Sequence, residues 1–268
     1  MHVHFLDPYR PRPSLVHRLD ARVKLVLVLA FILCSALTPD GAWPAYFLLL
    51  VVALSAALLS ELGIGFVLKR AALALPFVLA ALPLVFTAPG ERLLTIPLGT
   101  ISIGVSGPGL VRFLSIALKS WISVQAAIIL ASSTPFPDLL AAMRAIRIPR
   151  LLVAIFSLMW RYLFVLVDEV LRLTRARAAR SGHSDRSDLR PGGSWAWRAR
   201  VTGGMAGNLF MRAIERSDRI YMAMVSRGYD GEVRTLPLPT LRTVHWVVLS
   251  TGLAFLVLLQ LFSYLVWG

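Results

Sequence analysis

The sequence is short of cysteine, of acidic residues and of nucleotide-handling motifs, and each shortage removes a class of function. One cysteine, Cys34, stands in an apolar run, so neither an intrachain disulfide nor a thiolate metal cluster is expected. Asp and Glu number 14 against 28 Lys and Arg, and charged residues make up only 16% of the chain. No Gly-x-x-x-x-Gly-Lys-Ser/Thr loop occurs; Gly104-x-x-Gly107-x-Gly109 lacks the lysine that reaches a terminal phosphate. His-Glu-x-x-His and Gly-x-Ser-x-Gly elements are missing too. The neighbouring carboxylates Asp168 and Glu169 lie among arginines, where ion pairing is the simpler use. No catalytic, cofactor-binding or metal site is therefore expected. The polar start, with its prolines, holds no apolar signal-peptide core, and no cleavable leader is expected.

What is present is oil. Hydrophobic residues form 57% of the 268, with a mean hydropathy of +0.72, which places the chain among integral membrane proteins. A net charge of +14 would suit nucleic acid, but arginines flanking hydrophobic runs follow the positive-inside rule, so the lipid bilayer is the expected partner and nucleic acid is not.

Residues 1–22 are extended and basic, with Pro8, Pro11 and Pro13 blocking a helix and Arg10, Arg12, Arg18 and Arg22 marking a cytoplasmic amino terminus. His2 and His4 offer imidazoles, but without a carboxylate or cysteine cluster they are not read as a metal site. Spans are expected at residues 23–37 and 43–62, the second opening on an interfacial tryptophan, and a third apolar run at 71–88 is kinked by Pro76 and Pro83. Residues 89–109 read as an external hairpin or loop. A fourth span, 109–132, carries Arg112, Ser115, Lys119 and Ser123 on one helical face; this polar stripe either contacts a partner subunit or packs internally.

Residues 133–146 introduce a short amphipathic helix. Residues 150–180 continue as one long helix, with Arg161 inside its apolar run and Arg172, Arg175, Arg177 and Arg180 near its end. Those cations argue for a cytoplasmic amphipathic helix rather than a span. A Ser/Gly/Asp-rich connector, 181–194, leads to a second amphipathic helix ending at Arg227. There Gly203-x-x-x-Gly207 permits a close helix crossing, and Glu215 and Arg219 have the spacing of an ion pair. A last span, 244–267, completes an all-α integral membrane protein of about five transmembrane helices, two long cytoplasmic helices and one short amphipathic helix. The expected organisation is 1–132 as the amino-terminal segment with four spans, 133–242 as the cytoplasmic region and 243–268 as the carboxy-terminal span. Both long helices end in an arginine: Ala179-Arg180-Ser181, with Gly182 one residue late, and Ser226-Arg227-Gly228.

Three stretches carry a family likeness: Leu19-Asp20-Ala21-Arg22-Val23-Lys24-Leu25; Ile148-Pro149-Arg150 leading to Trp160-Arg161-Tyr162 and Asp168-Glu169; and Glu215-Arg216-Ser217-Asp218-Arg219 leading to Ser226-Arg227-Gly228-Tyr229. On these residues the chain resembles the CbiQ-type transmembrane T component of energy-coupling factor importers for cobalt or nickel, over essentially its whole length. The resemblance implies a non-catalytic scaffold of a bacterial inner membrane with two coupling helices. Each would end in an Ala-Arg-Gly-like motif whose arginine docks on one of two CbiO-type ATP-binding subunits, which hold the ATP and Mg. It also implies a CbiM-type substrate-binding membrane subunit that selects the metal, and a small CbiN-type accessory subunit. Ser226 stands where the motif has alanine, and Ser181 where it has glycine. A stand-alone scaffold resting on anionic lipid, and a secondary transporter moving ions through its own spans, are the competing readings.

Overall fold

The computed structural model describes residues 7–87, 89, 92–98, 101–180, 194–231 and 240–267. The chain divides into two compact units, one of residues 8–146 with 238–268, the other of 147–237 with 1–7.

The first unit is a helical bundle. Helix α1 (Leu15–Arg18) is capped by Ser14, whose Oγ accepts from the His17 amide. Asp20 caps α2 (Ala21–Leu37) in the same way, accepting from the Arg22 N–H at 2.9 Å. A turn at 38–42 leads to α3 (Trp43–Leu59), which starts with Pro44 where its missing N–H costs nothing. Helices α2 and α3 have 17 residues each. At about 25 Å they fall short of a bilayer core of about 30 Å.

The third apolar run begins earlier than expected, at α4 (Ile64–Ala71), and is broken as the prolines require. It passes through a 3-10 turn (Ala72–Ala74), α5 (Leu75–Val78), a second 3-10 turn (Leu79–Ala81) and α6 (Leu84–Thr87), bending by 42°. The Pro83 carbonyl accepts from the Thr87 hydroxyl at 3.0 Å as well as from two amides, which is how a broken helix satisfies itself in lipid. Strands β1 (Arg92–Leu98) and β2 (Ile101–Ser106) form the expected hairpin, antiparallel with Thr95 opposite Gly104.

Helix α7 (Gly107–Ser133) is the spine of the bundle, packing against α2, α3, α4 and α6. Its Gly109 lies against the α6 backbone; a Cβ there would stand 2.6 Å from the Leu84 carbonyl oxygen, so no other residue fits. Helix α8 (Phe136–Ala145) buries Leu140 and Ala142 and packs on α2, so it belongs with the bundle rather than with the polar region after it in sequence. Helix α11 (Thr243–Trp267) closes the bundle along α2. The core is continuous from Phe31 and Cys34 through Tyr46 and Leu49 to Ile122, Leu256 and Leu259.

The second unit contains α9 (Arg150–Arg180) and α10 (Trp195–Val225), of 31 residues each. They run antiparallel where they meet: Glu169 reaches Arg212 and Arg177 reaches Thr202. Among the described residues of this pair only Ala154 is buried.

By length and composition α7, α9 and α11 could each cross a membrane, and the bent α4–α6 segment adds a fourth candidate. The architecture is thus an α-helical membrane protein with one small hairpin.

Candidate functional site

The end of α10 is built by a hydrogen-bond pattern that only a left-handed residue completes. Gly228 has φ of +79°. Its N–H donates to the Val225 carbonyl at 2.9 Å, and the Tyr229 N–H reaches back to Met224 at 3.0 Å, the paired closure of a Schellman cap. A side chain at Gly228 would meet open space, so conformation alone demands glycine here. The Ser226 hydroxyl is turned inward to the Ala223 carbonyl at 3.0 Å. That leaves the intervening Arg227 exposed at the tip, without a carboxylate partner among the described residues.

Arg180 is the last residue of α9, exposed, and likewise without an ion pair among the described residues. Ala179 is exposed beside it, whereas Ser181 and Gly182 lie outside the described residues, as do His2 and His4. Arg180 borders an open cleft of about 480 Å³ shared with Arg177, Trp197, Val201 and Met205, so it stands beside the first turns of α10. Arg227 lies at the far end of that helix. The two cationic tips therefore sit at opposite ends of an antiparallel pair, roughly 40 Å apart along α10 at 1.5 Å per residue.

Between the tips the pair is held by Glu169. One carboxylate oxygen meets Arg172 of its own helix at 2.8 Å and the other meets Arg212 of α10 at 2.7 Å. The ion-pairing role read for Asp168-Glu169 is thus filled by Glu169 across two helices. The spacing of Glu215 and Arg219 suits another pair, but among the described residues none forms there. Nor do Gly203 and Gly207 mark the crossing with α9. Both are exposed with open space where a side chain would go, and the face of α10 turned to α9 carries Met205, Leu209, Arg212, Ala213 and Ile220. A Gly-x-x-x-Gly spacing names a smooth face without saying what meets it.

The polar stripe of α7 divides. Ser115 is fully buried and its Oγ accepts from the Gly41 N–H at 3.0 Å. Lys119 pairs with Asp40 at 2.9 Å, so these two residues fasten the α2–α3 turn to α7. Ser123 is half-buried and Arg112 exposed, and neither joins that fastening. Among the described residues no group of three or more His, Cys, Asp and Glu side chains gathers as a cation site.

Sequence reasoning passes over the fastening of the bundle at the end where the chain begins. Lys24 donates to the Ser133 carbonyl at 3.0 Å, placing a cation on the last turn of α7, where helix carbonyls lack partners. The Arg10 N–H donates to the Ser132 carbonyl at 2.9 Å. Asp20 before an apolar run is a legible cap signal; the far partner of Lys24 is not.

The family described as CbiQ, cobalt transport protein, matches residues 13–237. The chain is 31% identical over 157 residues to the cobalt transport protein CbiQ of Rhodobacter capsulatus, a match spanning 59% of this chain and 61% of that protein. It is 29% identical over 273 residues, 93% of either chain, to the energy-coupling factor transporter transmembrane protein EcfT of Bacillus selenitireducens. A protein of Methanocorpusculum labreanum named as a putative fused cobalt transport protein CbiMQ is 24% identical over 252 residues, 90% of this chain and 40% of its own length.

Proposed function

Because the chain belongs to the CbiQ family of cobalt transport proteins, we propose that it is the non-catalytic transmembrane coupling subunit of an ATP-driven energy-coupling factor importer for cobalt or nickel ions. Arg180 and Arg227 each dock on one of two ATP-binding subunits of CbiO type, which bind and hydrolyse ATP with Mg. The substrate ion passes through a separate CbiM-type membrane subunit, with a small CbiN-type subunit as a further partner. The relative whose name joins CbiM and CbiQ in one chain supports that neighbour.

The observation that carries this reading is the pair of exposed arginine tips at opposite ends of α9 and α10, neither with an ion pair among the described residues. A guanidinium offers a planar donor fork to an acidic groove, and a Schellman turn holds it out from the helix end. Two tips some 40 Å apart along α10 suit two separate proteins better than one pocket. Helix α9 lies at the cytoplasmic face in this reading. Carrying it across the bilayer would take Arg161 and the clamp between Glu169 and Arg212 with it, against a cost of roughly 2.5–3.5 kcal/mol for each central charge. The amino terminus, with Arg10, Arg12, Arg18 and Arg22, is cytoplasmic in the same reading.

Coexpression with the candidate ATP-binding subunits tests the proposal. The wild-type chain should copurify with two of them through a high-salt wash. Arg180→Ala and Arg227→Ala should each weaken that binding roughly 30-fold or more, since truncating one partner of a buried charge pair costs at least about 2 kcal/mol. The double variant should lose metal uptake. Full assembly and uptake by the double variant, or ion-driven uptake by this chain alone, would overturn the reading.

A further inference from the structure

Two guanidinium groups rest on a single aromatic ring near the end of the bundle where the chain begins. The Arg10 Cζ lies 3.9 Å and the Arg70 Cζ 4.5 Å from the centroid of the Phe66 ring. Both arginines are exposed, and neither has a carboxylate partner among the described residues. Lys69 and Arg12, next in line on their segments, are also exposed cations without one among those residues. Attraction to the ring face holds each guanidinium in place, but it does not neutralise two like charges so close together.

The arrangement is built rather than incidental. Arg10 is fixed by its own main chain on both sides: its N–H donates to the Ser132 carbonyl at 2.9 Å, and its carbonyl accepts from His17 Nε2 at 2.9 Å. A carbonyl cannot donate, so Nε2 carries the proton. Phe66 and Arg70 are one turn apart on α4, which places ring and guanidinium on one face. Their distances to the shared centroid put the two Cζ atoms at most about 8.4 Å apart, on the scale of the roughly 8 Å spanned by one phosphate held about 4 Å from each guanidinium carbon.

The residues after Arg70 select the source of that phosphate. Leu73 is 73% and Leu75 50% exposed, immediately beyond the cations in the segment that enters the apolar run. A charged level next to bare leucines matches the boundary between headgroup and acyl chain.

We propose that Arg10 and Arg70, stacked on Phe66, form a binding site for the phosphate of an anionic phospholipid, whose acyl chain lies along Leu73 and Leu75. This site shares no residue with the coupling tips.

The test compares the full chain in nanodiscs of phosphatidylcholine with and without phosphatidylglycerol, reading retained lipid by native mass spectrometry and the thermal midpoint in parallel. The wild type should keep phosphatidylglycerol and gain thermal stability from it, whereas inorganic phosphate added to phosphatidylcholine discs should give no gain. Arg10→Gln with Arg70→Gln should lose most of the retained phosphatidylglycerol, roughly tenfold, and Arg10→Lys with Arg70→Lys should retain an intermediate amount because charge remains but the planar fork is gone. Neutralising Arg200 and Arg219 instead should change nothing. The proposal is overturned if the glutamine pair retains the lipid like the wild type, if the Arg200 and Arg219 pair loses as much, or if inorganic phosphate protects equally. The lysine pair, which keeps the fold's charges, guards against loss through misfolding.

Discussion

Lys24 illustrates how one side chain in this protein serves a distant helix. It is almost wholly buried, yet its ammonium has a purpose: the Ser133 carbonyl at 3.0 Å, at the negative end of α7. Replacing it with methionine keeps most of the apolar stem and removes the donor. Lys24→Met should therefore destabilise the bundle by about 1–3 kcal/mol, the cost of leaving a buried acceptor unmet. Thermal unfolding in a fixed lipid composition would register this as a lowered midpoint with the helical content of the native state unchanged. The same residue marks where reading the sequence stops. Asp20 can be recognised as a cap because its partner, the Arg22 amide, is two residues away. The acceptor for Lys24 is 109 residues away and belongs to no local pattern.

At the scale of elements, periodic apolar runs and prolines are the dependable signals, because a helix face and a missing N–H are properties of neighbours in sequence. They locate the broken third span, the long α9 and α10, and the hairpin between them and the first spans. What they do not supply is which face of a helix meets which. The Gly203 and Gly207 pair is legible as a smooth patch, but α10 makes its crossing with the other face. Since a side chain at either glycine meets only open space, Gly203→Ala and Gly207→Ala should stabilise α10 in the isolated chain by about 0.5–1 kcal/mol each through helix propensity. A lowered thermal midpoint in either variant would mean that something does pack there. The tips are legible in part. Arg227 with Gly228 announces its own turn, and Arg180 is a recognisable helix end, but their placement at opposite ends of the pair depends on antiparallel packing that no motif states.

Across the whole molecule, burial is shared unequally. The bundle holds both hydrophobic clusters, built around Tyr46, Leu49 and Ile122 and around Ala57 and Val67, whereas the described part of α9 and α10 buries only Ala154. Local opening is easiest where few apolar contacts must be broken. Amide exchange measured on the chain in nanodiscs should thus be faster throughout α9 and α10 than in α2, α7 and α11, and within the pair it should be slowest near the clamp of Glu169 and Arg212. Equal protection in the two sets of helices would contradict this. Composition alone announces a membrane protein, yet the uneven distribution of core between the units depends on tertiary packing. The Lys24 contact also bears on how the chain is made. A ribosome adding about 5–20 residues per second needs roughly 5–20 s to travel from Lys24 to Ser133. For that interval the first span has no α7 to fasten, so during biogenesis it must wait in the insertion machinery or in lipid, and the bundle can lock only after its fourth apolar segment has emerged.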